Sequence, residues 1–227
     1  MRVPDIELKD LVPGHGVGLT KELNMVWSGP GLHAVIGRNG TGKSTLMRTV
    51  AGLMRPIAGA VEVGGRPISA WSAWERAERL AFVDSTPPRG SGLSVGEVLT
   101  MADREGREHV GRQWLGRLGD AGWWGVPVNA LSDGQAQRVM VARAAAQGCP
   151  WMVLDEPTAF LDVPAREDLM HLLEVMVGEG RALLVTTHDL HLLEHSPALK
   201  TIHMLDRNGL QALDPEAKAK EWEIALR

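Results

Sequence analysis

Short apolar runs alternate with stretches of helical periodicity along most of the chain. Runs of four or five mostly apolar residues, bounded by glycine or polar residues, predict buried strands at Leu32–Ile36, Leu80–Val83, Trp151–Leu154 and Ala182–Thr186. Apolar residues recurring every three or four positions predict helices at Ser44–Met54 and Pro164–Val177, and the tail Pro215–Arg227 is also expected to be helical. Strands that alternate with helices are typical of an α/β sheet.

The remaining segments predict further short strands and one helical block. Short strands separated by polar, glycine-rich breaks are expected at Ile6–Leu8, Val26–Trp27 and Ala60–Val63. A hairpin with its turn at Asn208-Gly209 is expected to join Thr201–Leu205 to Leu210–Leu213. The spacing from Leu93 to Ala146 is helical, with a glycine-rich interruption at Gly119–Gly125. We therefore expect one domain over 1–227, with its core at 1–84 and 150–227 and a helical insert at about 85–149.

Composition narrows the class of protein. The 227 residues suffice for one large domain or two small ones, and 44% apolar with 23% charged residues excludes a disordered or coiled-coil protein. A net charge of −4 argues against a nucleic-acid binder, which usually presents a basic face. The single cysteine, Cys149, favours a reducing cytosol. We expect neither a signal peptide nor a membrane span, because no apolar run approaches about 18–20 residues.

A glycine-rich segment between a predicted strand and a predicted helix matches the phosphate-loop pattern G-x-x-x-x-G-K-S/T in full. It reads Gly37-Arg38-Asn39-Gly40-Thr41-Gly42-Lys43-Ser44, with Thr45 next on the helix. The glycines let backbone N–H groups turn toward phosphate oxygens, and the helix start adds unpaired N–H groups and partial positive charge. Lys43 is expected to reach the β- and γ-phosphates and Ser44 to bind Mg²⁺. A plain glycine-rich turn would not explain Lys43-Ser44.

Two carboxylates follow the predicted strand Trp151–Leu154. Ligands of open α/β sheets bind at the carboxyl ends of the strands, so Asp155 is the candidate metal ligand and Glu156 the candidate to polarise an attacking water. The alternative is a pair of acids that cap the next element. The phosphate loop elsewhere in the chain favours the catalytic interpretation.

A third motif resembles the signature sequence of a known protein family. It reads Leu131-Ser132-Asp133-Gly134-Gln135, and here the sequence resembles the ATP-binding subunits of ABC transporters, whose signature is LSGGQ. The resemblance continues through residues 155–162, which are similar to the second acidic motif and the D-loop with Asp162 as its aspartate. It extends to residues 186–189, which are similar to the switch region with His188 as its histidine. The motifs keep the family's order and cover roughly residues 5–210.

The resemblance implies both a fold and a mechanism. The fold is a P-loop NTPase (RecA-like) α/β core with an N-terminal antiparallel β-subdomain and an inserted α-helical subdomain. The cofactors are ATP and Mg²⁺, and two copies of the chain sandwich two nucleotides. The phosphate loop of one copy faces Ser132, Asp133, Gly134 and Gln135 of the other.

The resemblance also implies roles and partners. Glu156 would act as general base or orient the attacking water, His188 would hold the γ-phosphate and Glu156 in place, and Asp162 would link the two sites. The implied partners are a second copy of the chain, a transmembrane permease and a substrate-binding protein, with no nucleic acid. The chain would then lie on the cytoplasmic face of the membrane. Exposed tryptophans of the insert are candidates for the permease surface, although packing within the insert is the favoured interpretation of Trp114, Trp123 and Trp124.

Three positions depart from the family pattern. The glutamine expected after the strand Leu80–Val83 is absent, and Ser85 is the best positional match, beside Asp84, as a residue that could hold a metal-bound water. The aromatic that stacks on adenine is replaced by His15, in a chain that has eight tryptophans and no tyrosine. Asp133 occupies the central glycine of the signature, and its carboxylate is expected to point away from the triphosphate.

The family contains several functions. The signature form and residues 157–164 resemble most the group that imports iron–siderophore, haem or cobalamin. An exporter ATPase, such as one similar to the haem-export subunit, and a soluble ATPase of iron–sulfur assembly remain alternatives. Chromosome-type members are excluded, because only 86 residues without heptads separate Ser44 from Leu131. Translation-type members carry two cassettes, whereas this sequence contains one.

Overall fold

The computed structural model describes residues 3–88, 90, 92–103 and 105–226. Its strands are β1 (Ile6–Val12), β2 (Gly14–His15), β3 (Val17–Gly18), β4 (Leu23–Trp27), β5 (Gly31–Ile36), β6 (Ala58–Val63), β7 (Arg66–Pro67), β8 (Leu80–Val83), β9 (Trp151–Asp155), β10 (Ala182–Thr186), β11 (Leu199–Asp206) and β12 (Gly209–Leu213). Its α-helices are α1 (Lys43–Val50), α2 (Ala73–Ala77), α3 (Val95–Ala102), α4 (Glu108–Leu118), α5 (Asp133–Ala146), α6 (Val163–Gly178), α7 (Leu190–Glu194) and α8 (Ala219–Ala225).

The larger sheet has the strand order β12-β11-β5-β10-β9-β8. All neighbouring strands run parallel except the edge pair β11 and β12, which is antiparallel. Every residue of β5, β9 and β10 is buried, as expected for strands covered on both faces. Because parallel strands end at the same edge, the segments that follow β5, β8, β9 and β10 lie together there.

The second sheet is antiparallel and has the order β4-β1-β6-β7. Apolar side chains of β1 and β4 pack beneath it, including Ile6, Leu8 and Trp27, all no more than 1% exposed. The two-residue strands β2 and β3 form a small separate hairpin between β1 and β4 in the chain. The α/β core and the antiparallel subdomain implied by the resemblance are therefore both present.

Helices α3, α4 and α5 form the inserted helical region. Its tryptophans pack inward: Trp114 is 6% exposed, and Trp123 and Trp124 lie against the same apolar cluster. A Cβ added at Gly96 would lie 2.5 Å from the Trp124 ring, and the Arg112 guanidinium carbon is 3.9 Å from that ring's centroid. Packing, rather than a surface role, therefore accounts for these three indoles.

The predicted strands Leu32–Ile36, Leu80–Val83, Trp151–Leu154 and Ala182–Thr186 are all present, the first and third extended by one residue. Helix α1 is shorter than predicted, because left-handed Gly52 follows its last turn. The hairpin turn is at Arg207-Asn208, one residue earlier than predicted, since Gly209 already pairs with Asp206. Helix α8 begins at Ala219 rather than Pro215, and Arg227 of the predicted tail helix lies outside the described residues. Among the described helices, none has both the length and the apolar character needed to cross a bilayer.

Candidate active site

The phosphate loop joins β5 to α1. Gly42 has φ of +97°, a left-handed conformation that favours glycine, and it is the residue from which α1 begins. The Thr41 hydroxyl donates to the Arg38 carbonyl at 2.9 Å and so closes the loop on itself. Lys43 donates from Nζ to the Gly37 carbonyl at 2.9 Å, which holds its ammonium across the loop. The loop therefore has the curled backbone and the inward cation that an anion site needs.

The loop after β9 is tied to the end of β10 by Thr186. The Thr186 hydroxyl donates to Asp155 Oδ1 at 2.6 Å and accepts from the Glu156 N–H at 2.9 Å. The same N–H also lies 3.1 Å from the Thr186 carbonyl. Glu156 adopts φ of +48°, which is uncommon for a residue other than glycine and typical of functional sites. Thr186 thus fixes the direction in which both carboxylates leave the strand.

Three charged or polar groups meet where these loops converge. Glu156 Oε1 lies 3.0 Å from His188 Nε2 and 3.9 Å from Lys43 Nζ. Lys43 Nζ is in turn 3.2 Å from His188 Nε2. The side chains of Lys43 and Glu156 are 8% and 17% exposed, whereas that of His188 is 48% exposed. We call this group the Lys43–Glu156–His188 cluster.

Burial controls the protonation of the cluster. It raises the pKa of Glu156 to about 7, against the attraction of Lys43 and with added repulsion from Asp155. Burial lowers the pKa of Lys43, and the two carboxylates oppose that effect. Burial and the neighbouring Lys43 charge also lower the pKa of His188. A carboxyl group whose pKa is near neutrality is suited to general acid–base chemistry.

The surroundings of the Asp155 carboxylate show whether the site is suited to Mg²⁺. Its side chain is fully buried, and Oδ2 has no hydrogen-bond partner among the described residues. A buried carboxylate oxygen is costly without a partner, and carboxylate and hydroxyl oxygens are the ligands that Mg²⁺ prefers. Asp155 and the hydroxyl of Ser44 therefore fit a magnesium ion at this edge of the sheet.

A cavity of about 700 Å³ opens over these residues. Of the residues predicted from sequence, it is lined by Asn39, Gly40, Gly42, Lys43, Ser44, Thr45, Ser85, Glu156 and His188. Arg38 and Thr41 line a second cavity, of about 840 Å³, which shares Asn39 and Gly40 with the first. The structure thus brings together the phosphate loop, the catalytic candidates and Ser85.

Several residues of the cavity wall were given no role by sequence reasoning, although some of them lie within the motifs at 155–162 and 186–189. They are Leu19, Thr86, Thr158, Ala159, Phe160, Arg166 and Asp189. Arg166 binds Asp189 at 2.9 Å and donates from Nε to the Leu161 carbonyl at 2.8 Å, and the Thr158 hydroxyl also donates to Asp189. The position of Asp189 next to His188 was the available signal, whereas nothing local in the sequence marked Arg166.

The signature segment lies apart from this cavity. Ser132 caps α5: its Oγ accepts from the Gln135 N–H at 3.2 Å, and Gln135 Oε1 accepts from the Ser132 N–H at 2.9 Å. Asp133 is exposed in the first turn of α5, where the positive helix end stabilises a carboxylate. Gly134 permits a close approach, because a Cβ there would lie 2.7 Å from the Phe160 carbonyl oxygen. None of these four residues is among the described residues that line the cavity.

Two further candidates also lie outside the described cavity wall. His15 is exposed at the end of β2, and Leu19, four residues further along the chain, lines the cavity. Asp162 caps α6, where its Oδ1 accepts from the Ala165 N–H at 3.1 Å. The roles of His15 in base stacking and of Asp162 in linking two sites remain predictions.

Comparison with known proteins agrees with the motifs. A protein-family profile described as "ABC transporter" matches residues 21–159. The iron(3+)-hydroxamate import ATP-binding protein FhuC of Bacillus subtilis is 35% identical over 184 residues, which cover 76% of this chain and 68% of that protein. The hemin import ATP-binding protein HmuV of Streptomyces coelicolor is 38% identical over 167 residues, which cover 70% and 60%. The matched region thus spans about two thirds of these relatives or less.

An export protein and solved structures also match. The macrolide export ATP-binding/permease protein MacB of Shewanella oneidensis is 33% identical over 78% of this chain and 28% of its own length. The fold is similar to that of a dimeric bacterial ABC transporter cassette, with TM-score 0.82 and 23% identity over 93% of this chain and 99% of the other.

Proposed function

The chain belongs to the ABC transporter family and is an ATPase of that family, and from this premise we propose that it energises the import of an iron–siderophore, haem or cobalamin-type substrate. The main support for placing ATP hydrolysis at particular residues is the Lys43–Glu156–His188 cluster at the wall of the phosphate-loop cavity. The import assignment is supported by the import functions of the relatives from Bacillus and Streptomyces. On this proposal, the whole described chain acts as one nucleotide-binding domain with a helical insert.

The proposed mechanism begins with ATP in the phosphate loop. Backbone N–H groups of residues 37–42 and the start of α1 bind the phosphates, and Lys43 moves from the Gly37 carbonyl to the β- and γ-phosphates. Ser44 and Asp155, with Ser85 as a further candidate, would hold Mg²⁺, and the bound ion would offset the charge of the phosphates. His188, now 3.2 Å from the lysine, is placed to bond the γ-phosphate.

Glu156 supplies the proton chemistry in this proposal. Its carboxylate orients the attacking water and accepts a proton from it, while Thr186 keeps the Glu156 backbone in place. His188 Nε2 lies 3.0 Å from Oε1, which places the imidazole beside the carboxylate that it would orient. Closure by a second copy then excludes water and adds Ser132, Gly134 and Gln135 of that copy to the γ-phosphate, with Asp162 between the two sites.

The proposed partners follow from this arrangement. A second copy of the chain completes each nucleotide site, a transmembrane permease docks on the helical insert, and a substrate-binding protein delivers the cargo outside the membrane. The chain then works at the cytoplasmic face of the membrane and is held there by the permease.

An exporter ATPase is the second candidate function. The relative MacB combines an ATP-binding part with a permease in one protein, and this chain matches 28% of its length. The two candidates differ in the direction of transport and in the need for a substrate-binding protein.

A reconstituted transporter distinguishes these functions. The tagged chain is captured from detergent-solubilised membranes, and the multi-span protein that accompanies it is identified. The pair is placed in proteoliposomes with ferric siderophore, haem or cobalamin, together with the substrate-binding protein of the same system. ATP-dependent movement toward the compartment that contains the chain is expected, and the Glu156→Gln variant serves as the control without turnover. Movement in the opposite direction would establish the exporter, and capture without any multi-span protein would contradict both.

A further inference from the structure

Asp84 is bound through its side chain to the helix that follows the phosphate loop. It comes directly after β8, at the sheet edge where the nucleotide cavity lies. Arg48, in the last turn of α1, places Nη2 at 2.9 and 3.0 Å from the two Asp84 oxygens. A change in the position of α1 is therefore transmitted to the chain that leaves β8.

The same segment is bound through its backbone to the helix that follows the signature. Gln137 of α5 donates from Nε2 to the Asp84 carbonyl at 3.1 Å, and Arg143 donates to the Phe82 carbonyl at 3.2 Å. Gln137 is fully buried, so its amide has a fixed place in the core. Asp84 is thus held on one side by α1 and on the other by α5.

Ser85 and Thr86, the two residues after Asp84, connect it to the nucleotide cavity. Ser85 donates to Asp84 Oδ1 at 3.3 Å, and both Ser85 and Thr86 line the cavity. A series of hydrogen bonds therefore runs from Ser85 at the cavity to Asp84, and from Asp84 to Arg48 and to Gln137. Arg48 lies on α1, which begins at the phosphate loop, and Gln137 lies on α5, which begins at the signature.

Stability alone does not explain the pair. The side chains of Arg48 and Asp84 are each 39% exposed, and ion pairs at such positions add little to the free energy of unfolding. We infer that Arg48 and Asp84 are a positioning pair, which sets the orientation of the signature helix relative to the phosphate-loop helix and so transmits nucleotide binding to the signature. This inference rests on the proposed ATPase function.

The test compares this pair with a matched pair elsewhere. Asp84→Asn, Arg48→Gln and the double variant are measured beside Glu179→Gln, which breaks the Arg117–Glu179 pair of 3.1 Å and 36% and 41% exposure. Each protein is measured for kcat at saturating ATP, ATP affinity, ATP-dependent dimer formation and Tm. Arg48→Lys, which keeps the cation, provides the conservative substitution.

We expect Asp84→Asn and Arg48→Gln each to lower kcat by about fivefold to tenfold, the size of effect found for residues that couple sites without touching the ligand. ATP affinity should stay within about twofold and Tm within about 2 °C, because both side chains of the pair are 39% exposed. The double variant should be no worse than the single ones, since both remove the same interaction. Arg48→Lys should retain more activity than Arg48→Gln, and Glu179→Gln should match the parent.

Each remaining outcome overturns a definite claim. An active parent with an unchanged Asp84→Asn variant overturns the inference alone. A double variant whose loss is the product of the single losses shows that the residues act separately and also overturns it. A loss of kcat that follows a matching fall in Tm assigns the pair a structural role only. A parent without ATPase activity overturns the proposed function together with this inference.

Discussion

The phosphate loop and the signature segment both lie at the start of a helix, yet among the described residues only the phosphate loop meets side chains from other loops in a cavity. At α1, a curled loop, a buried ammonium and two converging loops enclose a cavity. At α5, the side chains of Ser132 and Gln135 bond each other's backbone in a capping box, and Asp133 is exposed. A helix start therefore becomes a nucleotide site only where other elements converge on it.

The difference also separates what one chain does alone from what needs a second. The cluster is assembled from loops after β5, β9 and β10, whose parallel order brings them together. In the signature segment, Gly134 approaches the Phe160 carbonyl, whereas Ser132 and Asp133 are exposed to solvent. We therefore expect substitutions in the cluster to change nucleotide binding and chemistry. Substitutions in the signature should leave nucleotide binding by one copy unchanged and change the catalytic steps that involve two copies.

The largest effect is expected from Lys43→Ala. Loss of the buried ammonium removes charge-assisted hydrogen bonds to two phosphates, so ATP affinity should fall by about 100-fold or more. Isothermal titration calorimetry measures it, with Lys220→Ala, at an exposed lysine, as the control. Parental affinity in Lys43→Ala would show that the loop binds nucleotide without the cluster.

Glu156→Gln should separate binding from chemistry. The amide keeps the shape of the side chain but cannot accept a proton, so kcat should fall by about 100-fold or more while ATP affinity stays within a few-fold. An ATP-stabilised dimer should then appear in gel filtration. The control is Glu167→Gln on the exposed side of α6. Hydrolysis by Glu156→Gln at the parental rate would remove Glu156 from the mechanism.

Ser132→Ala tests the other half of the comparison, and the chain offers a close control. Ser94 caps α3 with Glu97 in the same capping box that Ser132 forms with Gln135. Both serine-to-alanine variants should lose about 1 kcal/mol of unfolding free energy. Only Ser132→Ala should also lower kcat, by about tenfold, without changing the ATP affinity of the monomer, because one oxyanion donor of the second copy is lost. Equal kcat in the two variants would make the serine a cap only.

The pH profile should show the buried carboxyl group. Because the pKa of Glu156 is raised to about 7, its basic form is lost as the pH falls through that value. The kcat/KM for ATP should therefore fall by up to about tenfold per pH unit below the pKa and level off above it. Measurements from pH 5.5 to 8.5 test this, and a flat profile across neutrality would mean that the carboxyl group is not the base.

The smallest effect is expected from His15→Ala. An exposed imidazole that stacks on a base contributes a small contact area, so ATP affinity should weaken by no more than about threefold. The same assay with GTP should show loose selectivity, and Leu19→Ala, at the cavity wall, is the companion variant. A loss above tenfold in His15→Ala would place the histidine at the centre of base recognition.

Sequence reasoning predicted the parts of the site that depend on local order. The phosphate loop and the strands around it were predictable, because each has a continuous pattern of glycine or apolar residues. Helices α2 and α7 were not, since five residues are too few to show a helical period. The Arg48–Asp84 and Arg166–Asp189 contacts join residues far apart in sequence, and only the packing of α1 and α6 against the sheet brings them together.

The tryptophans give this protein its own optical reporter. All eight lie within the described residues and none lines the cavity, and the chain has no tyrosine whose emission would overlap with theirs. Trp114, Trp123 and Trp124 all lie in the helical insert, with arginine side chains over their rings. A shift in fluorescence on adding ATP would therefore record a rearrangement of the insert or the core, and not the stacking of a nucleobase on an indole.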